Sequence, residues 1–351
     1  MIDATSGAPP VEAEAVPPRA WAVWTWRLAA LLIKLALGSV VALIIFGGLL
    51  VAAPELFDYL IAPAFQAWQT VLVAVVIQGL PFLLLGTVVS AAISAFVSDA
   101  ALSRVLPKRV ALAVPVAGMA GAVLPGCECA SVPVAGSLMR RGVPPAAALA
   151  FLLSAPAINP VVLVATSIAF PGRPEMVGAR FLASLATSVS MGWLWLRLGK
   201  PEWLRLNRSA DAHRHGGHTR LDVFRRGLQH DFLHAGGFLV LGATAAATFN
   251  IVVPPTWLQT FTGSTWLAVP LLGTLAVILS ICSEADAFVA ASLAAFPATA
   301  KLAFMVVGPM VDLKLISLQT GTFGRAFAVR FCAATFLVAV LVASAVGAWL
   351  L

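Results

Sequence analysis

Charged residues are scarce in this sequence. Asp, Glu, Lys and Arg make up 11% of the 351 residues, while hydrophobic residues make up 60%. Soluble domains are about 25% charged and about 45–50% apolar, so an ordinary water-soluble fold is excluded. Apolar runs of about 20 residues, the length that crosses a bilayer as a helix, recur along the chain. We therefore predict an all-α, polytopic helical membrane protein.

The sequence also lacks the motifs of common motors and enzymes. It has no Gly-rich phosphate loop, no nucleotide-binding domain and no Ser/His/Asp arrangement. We therefore expect neither an ATP-driven motor nor an enzyme, and no cofactor. The net charge of +7 comes from Lys and Arg in short segments between apolar runs. This is the positive-inside pattern of membrane proteins, so nucleic acid is not an expected partner.

The beginning of the chain lacks a basic region of the kind that opens a signal peptide. It is rich in Pro and Ala, which predicts a disordered cytoplasmic tail over residues 1–25. The apolar run that follows is too long for a signal-peptide core. We predict a retained, extra transmembrane helix and an outer loop over residues 26–65.

An internal repeat organises the rest of the chain. When the sequence is aligned with itself, Cys127 falls on Cys282 and Asn159 falls on Asp312. Matches in one order over about 80 residues indicate a duplication. The predicted parts are a first permease repeat over 66–199, a basic, His-bearing cytoplasmic linker over 200–230, and a second permease repeat over 231–351.

Two apolar segments are predicted to enter the membrane and return on the same side. The second arm of segment 110–141 is too short to cross a bilayer, so a re-entrant hairpin fits better, and segment 265–296 is its counterpart. Since basic loops should be cytoplasmic, the two repeats then have opposite orientations, an arrangement found in secondary transporters. We predict seven crossings and two hairpins, with Lys301 as a charge that fits this arrangement poorly.

Polar residues lie at the hairpin tips and at breaks in the paired crossings, over 154–160 and 307–312. Non-helical backbone at membrane depth is tolerated only against protein or a water-filled cavity, so four such places at one depth predict a shared site. The predicted substrate-binding residues are Cys127, Glu128, Cys129, Asn159, Cys282, Glu284, Asp286 and Asp312.

These side chains offer two kinds of ligand. A carboxylate at the bilayer centre costs about 2.5–3.5 kcal/mol, so the four carboxylates cannot face lipid, and Lys314 or a bound cation is a candidate to neutralise Asp312. Thiolates select soft or borderline ions, which predicts a metal site formed by Cys127, Cys129 and Cys282. The alternative is that these cysteines pack as small apolar residues.

A second candidate metal site lies in the linker. His213, His215 and His218 are typical of a cytoplasmic loop that collects metal ions. The alternative is a solvated basic linker without a metal-binding role.

The sequence resembles a known family in its tip and break motifs. Residues 124–138 and 146–160, together with 284–288 and 308–314, resemble the bacterial predicted-permease family that includes YraQ-type permeases and ArsP organoarsenical efflux permeases. The resemblance covers roughly residues 66–350. It implies a permease of the bacterial cytoplasmic membrane and, for the ArsP branch, efflux of trivalent organoarsenicals; some relatives are connected with metal homeostasis.

Three functions remain open at this point. The first is a secondary permease that exports a thiophilic substrate, either a trivalent organoarsenical or a soft metal species. The second is a transporter of a divalent metal, zinc or cobalt, and the third is an intramembrane thiol redox protein. The expected partners are the lipid bilayer and the small substrate, and the sequence is compatible with a homo-oligomer.

Overall fold

A computed structural model describes residues 63–96, 107, 109–123, 128–205, 219–252 and 265–351. These residues contain helices and connecting turns, and no strand. The first set of helices is α1 Pro63–Phe96, α2 Val110–Ala120, α3 Glu128–Arg140, α4 Pro145–Ile158, α5 Pro160–Ala169 and α6 Pro174–Leu198. After a short 3-10 turn, Pro201–Trp203, the second set is α7 Arg220–Val252, α8 Thr265–Leu279, α9 Asp286–Ser292, α10 Ala298–Val307, α11 Leu313–Phe323 and α12 Arg325–Leu350.

Some of the predicted features lie outside the described residues. These are the tail over 1–25, most of the extra segment over 26–65, Cys127 and the linker histidines His213, His215 and His218.

The helices are long and apolar enough for a polytopic membrane protein. Four segments of the described chain meet the length and composition of a membrane span: Pro63–Phe96, Pro145–Ala169, Pro174–Leu198 and Arg325–Leu350. On α12, Leu341 and Trp349 are 68% and 76% exposed. Apolar side chains exposed to this extent suit a helix surrounded by lipid. The prediction of an all-α, polytopic membrane protein is confirmed.

The two sets of helices share one order and one packing scheme. In the first set α2 packs on α4 and α4 packs on α6; in the second, α8 packs on α10 and α10 on α12. The contact of α3 with α11 likewise has a counterpart in the contact of α9 with α5. These helix pairs therefore have equivalent partners in the two sets.

The first helices of the two sets run in opposite directions. Near one end of the pair, Trp68 Nε1 donates to Thr248 Oγ1 at 3.1 Å. Near the other end, Ser90 Oγ donates to Asp231 Oδ2 at 2.9 Å. Residue numbers rise along α1 while they fall along α7, so the two helices are antiparallel. This is the relative direction that inverted repeats require.

The first hairpin ends beside the break between α4 and α5. Val114 of α2 packs with Ala146 and Ala150 of α4. A Cβ added to Gly121 would lie 2.2 Å from Ser154 Oγ, so the end of α2 touches α4 near its C-terminus. Helices α2 and α4 are thus parallel, and α3, which connects them in the chain, also packs on α4.

The first break is shorter than the sequence predicts, whereas the second spans 308–312, close to the predicted 307–312. Helix α4 continues through Pro156 to Ile158, and only Asn159 is extended, with φ −65° and ψ 155°. The expected break at 154–160 is wrong in its first five residues, because α4 is buried from Ala146 to its end and tertiary packing outweighs the proline. Helix α7 also begins earlier than expected, at Arg220, and takes in residues 220–230 of the predicted linker.

Candidate functional site

Helices α3 and α11 start side by side and run in the same direction. Glu128, the first residue of α3, contacts Lys314 in the first turn of α11. Further along, a Cβ added to Gly136 of α3 would lie 3.3 Å from Thr322 Cγ2 of α11. The positive ends of two helix dipoles therefore point to one place, which stabilises carboxylates there.

An ion triad occupies this place. Lys314 Nζ donates to Glu128 Oε1 at 2.9 Å and lies 3.3 Å from Asp312 Oδ2. All three side chains are at most 2% exposed. The sequence suggested the Lys314–Asp312 pair, but the contact with Glu128 joins residues 186 positions apart and comes only from the fold. We call Glu128, Asp312 and Lys314 the lysine triad.

The helix that follows each break begins with a polar cap. Asp312 Oδ1 accepts a hydrogen bond from the Leu315 N–H at 2.6 Å, and Asn159 Oδ1 accepts one from the Val162 N–H at 2.9 Å. The two predicted equivalents thus do the same structural work. In addition, the Leu313 N–H donates to Ser280 Oγ at 3.0 Å, which ties the second hairpin tip to the start of α11.

Two of the predicted thiols lie next to the lysine triad. Cys129 and Cys282 are buried; Cys129 follows Glu128 directly in the chain, and Cys282 lies two residues after Ser280, which binds the start of α11. Within the described residues, no three His, Cys, Asp or Glu side chains lie close enough to hold one metal ion. Because Cys127 lies outside these residues, the site with three thiols stays a prediction.

A second buried ion group lies between α6, α5 and α9, and sequence reasoning missed its base. Arg180 donates from NH1 to Thr166 Oγ1 at 2.8 Å, and from NH2 to Asp286 Oδ2 at 2.8 Å and to the Ser283 carbonyl at 3.1 Å. Arg180 is fully buried. The signal that would have found it is a lone arginine inside an otherwise apolar span. We call Arg180, Thr166, Ser283 and Asp286 the arginine group.

Electrostatic interactions connect the two groups. Glu284 is half-buried and interacts with Glu128, Arg180 and Lys314, while Asp286 interacts with both glutamates. The four predicted carboxylates therefore form one charged region with two bases. A buried region with more acids than bases needs further positive charge, from protons or another cation, to be neutral.

The C-terminal ends of α3 and α11 lie beside a cluster of polar side chains. Arg140 NH2 lies 3.4 Å from Asp231 Oδ2, which also accepts from Ser90, and His234 Nε2 is 3.0 Å from the Gly321 carbonyl. The cavity that these side chains line has a volume of about 30 Å³. Ligand pockets have about 300–1,000 Å³, so this cavity is too small to hold a ligand.

A bundle of membrane-spanning helices with broken segments and buried charges at its centre defines a class of protein, the polytopic membrane permeases. The chain belongs to the ArsP_1 family, described as predicted permease, whose model matches residues 64–348.

Two relatives match most of the chain. The UPF0718 protein YcgR of Bacillus subtilis (strain 168) is 33% identical over 284 residues, which cover 80% of this chain and 96% of the relative. The putative two-component membrane permease complex subunit of Streptococcus mutans serotype c (strain ATCC 700610 / UA159) is 30% identical over 299 residues, which cover 83% and 98%. No solved structure matches the chain.

Proposed function

We propose that the chain is a secondary permease that moves a thiophilic substrate, a trivalent organoarsenical or a soft metal species, out of the cell. The observation that carries the proposal is the lysine triad, in which Lys314 links an acid of the first hairpin tip to an acid of the second break. Such a buried charged centre is costly in a membrane protein and is typical of a substrate or ion pathway. Membership of a permease family supports the same function.

The substrate would bind between the two hairpin tips. Thiols of Cys127, Cys129 and Cys282 would hold a soft centre, and Glu128, Glu284, Asp286 and Asp312 would balance its charge. Asn159 would keep the start of α5 in place as Asp312 does for α11. Breaking the Arg140–Asp231 pair would give the substrate access to the site from one side of the membrane.

We infer that the two halves are inverted repeats, with the basic loops in the cytoplasm of a bacterial cell and the chain in its inner membrane. The antiparallel α1 and α7 and the equivalent packing of the two helix sets support the inference. A cysteine introduced at Ser209 should react with a membrane-impermeant reagent only from the cytoplasm, and one at Thr262 only from outside. Reaction of both from the same side would contradict the inversion.

The proposed function is tested with purified protein in proteoliposomes. Wild-type protein should move phenylarsine oxide or Zn(II) across the membrane, and Glu128→Gln should abolish this movement because it removes a ligand and a partner of Lys314. The matched control is Glu175→Gln, the same change in an exposed pair with Arg173 on the same chain. Equal transport by the wild type and Glu128→Gln would refute the site.

The carboxylates favour a second candidate, a transporter of divalent zinc or cobalt ions. Carboxylate ligands suit harder cations than thiolates do, and the described site has four carboxylates but two thiols. Transport of Zn(II) or Co(II) without transport of phenylarsine oxide would select this function. The histidines His213, His215 and His218 would then be candidates for metal collection.

The thiol redox function makes a different prediction. A redox couple would form a reversible Cys127–Cys129 disulfide, whereas a permease would keep thiols that its substrate protects from alkylation. Mass spectrometry of alkylated protein, with and without phenylarsine oxide, separates these outcomes.

Assembly is a further part of the proposal. The streptococcal relative is named as a subunit of a two-component complex, which supports association of this chain with a partner or with a second copy. Native mass spectrometry of the protein purified from its own membrane would identify that assembly.

A further inference from the structure

We propose that Lys314 is a tethered competitor of the transported cation, because its ammonium occupies the carboxylate site that a soft metal cation takes on binding. The inference rests on the proposed permease function and narrows its substrate to a positively charged species. Cation and ammonium would take turns on the same oxygen atoms during each transport cycle.

A backbone hydrogen bond holds one of the two acids, Asp312, in place independently of Lys314. Asp312 Oδ1 accepts from the Leu315 N–H at 2.6 Å, so this carboxylate is fixed as a helix cap. Glu128 is the first residue of α3, where the helix dipole favours a negative charge. Its second oxygen, Oε2, is buried and has no hydrogen-bond partner among the residues that the structure describes. Asp312 would therefore keep its position after the ammonium had left, and Glu128 would turn toward the same metal ion with the oxygen that Lys314 had held.

Lys314 itself is suited to leave. Its ammonium is a point charge on a flexible four-carbon stem, without the fork that fixes an arginine against a carboxylate. Its contacts with the two acids are 2.9 Å and 3.3 Å long. The half-buried Glu284 of the second hairpin tip is the carboxylate toward which the ammonium would move.

The charges of the site match a divalent cation. Glu128, Asp312 and Glu284 carry three negative charges when ionised, and Lys314 carries one positive charge. Two negative charges remain, and one divalent ion cancels them. Because uncompensated charge is costly in a low-dielectric interior, this balance favours a cation over a neutral substrate. The Cys129 and Cys282 thiols near Lys314 add a preference for a soft or borderline ion.

Competition between the ammonium and the metal ion would help the protein to release the ion. A metal held by thiols and carboxylates binds tightly and leaves slowly, whereas an ammonium that returns to the same oxygens lowers the affinity and displaces the ion. Removing the ammonium should then make binding tighter and transport slower. A lysine that merely positions the substrate would give the opposite effect on binding.

The test compares Lys314→Met with wild-type protein, using Zn(II) and phenylarsine oxide as probes. Titration calorimetry in detergent should show tighter Zn(II) binding to Lys314→Met, by about 5- to 150-fold, the usual range for coupled sites. Zn(II) transport in proteoliposomes should become slower. Phenylarsine oxide is neutral, so its affinity should change by less than about twofold, as for a substitution outside the contact. The matched control is Lys301→Met, a half-buried lysine of α10, which should change neither probe.

Folding is controlled by thermal unfolding of Lys314→Met and of Lys314→Gln, with and without Zn(II). The proposal predicts that Zn(II) stabilises both variants more than it stabilises the wild type, since the ion replaces the missing ammonium. Equal or weaker Zn(II) binding in the variants, or no stabilisation of either by Zn(II), overturns the proposal. If the wild type moves Zn(II) but Lys314→Met binds Zn(II) as the wild type does, only the role of Lys314 as a competitor is refuted. If the wild type moves neither probe, the permease function is refuted.

Discussion

The lysine triad and the arginine group both pair a buried carboxylate with a base, but in different ways. Each places an acid in the first turn of a short hairpin helix, Glu128 in α3 and Asp286 in α9, and pairs it with a base from the other half of the chain. Arg180 makes three hydrogen bonds in a fixed fork, whereas Lys314 makes two contacts through one atom. The difference indicates a rigid joint at Arg180 and an exchangeable contact at Lys314.

The two groups are not copies of each other. Two positions after the cap, the second half has Lys314 after Asp312, while the first half has Val161 after Asn159. The first break therefore carries neither an acid nor a base, and α6 supplies Arg180 instead. The two sets share helix order and packing but differ in the positions of their charges, so the two sides of the site are chemically different.

The largest effect should come from removing the rigid joint. Arg180→Gln leaves Asp286 buried without its base, and breaking a buried pair in this way costs about 3–5 kcal/mol. Thermal unfolding in detergent should show this loss. The double variant Arg180→Gln with Asp286→Asn should recover much of the stability. If the double variant is no more stable than the single one, the pair is not what holds α6 to α9.

A smaller loss of stability should follow from a substitution that moves α11 away from α7. A Cβ added to Gly242 would lie 2.6 Å from Lys314 Cα, so Gly242→Ala must push the lysine triad aside. Overpacking of this kind costs about 1–3 kcal/mol, and Zn(II) transport should fall with it. The control is Gly237→Ala in the same helix, where a Cβ would meet no atom within 4 Å. Equal behaviour of the two variants would show that the close approach is unimportant.

Substitutions of the two helix caps, Asn159 and Asp312, should affect stability and transport to different extents. Asn159→Ala removes the bond to the Val162 N–H and should cost about 1 kcal/mol. Asp312→Asn retains a cap oxygen but loses the charge that faces Lys314, so we expect transport to fall more than stability. Unfolding temperature and transport rate, measured on the same preparations, check this contrast. Unaltered transport by Asp312→Asn would remove Asp312 from the site.

The smallest effect is expected at the exposed pair of Arg173 and Glu175. Their atoms are 3.3 Å apart, and the side chains are 54% and 41% exposed. Pairs of this kind contribute about 0.2–1 kcal/mol, so Glu175→Gln should unfold within a few degrees of the wild type. A large loss here would mean that exposed and buried ion pairs cannot be ranked by burial in this protein.

The sequence predicted the parts of the site that leave a local signal. Carboxylates within apolar runs and the paired break motifs identified Glu128, Asp312 and Asn159, and the structure buries all three. Pairings across the chain leave no such signal. Arg180 meets Asp286 over 106 positions, and Lys314 meets Glu128 over 186, so only the packed fold defines these partners.

The end of α4 also shows that local sequence signals do not determine tertiary packing. Proline signals predicted a break from Ser154 onward, but the helix continues to Ile158 because its neighbours bury it. Local chain chemistry therefore gave the existence of the break, and packing decided its length.

The long separations between partners also bear on how the protein is made. Ribosomes add about 5–20 residues per second, so Arg180 would wait about 5 to 20 s for Asp286, and Glu128 would wait about 10 to 40 s for Lys314. During synthesis these charges would enter the membrane before their partners exist. A nascent chain of this protein would then depend on the insertion machinery to shelter them, and a product truncated before Asp286 should be a substrate for membrane proteases.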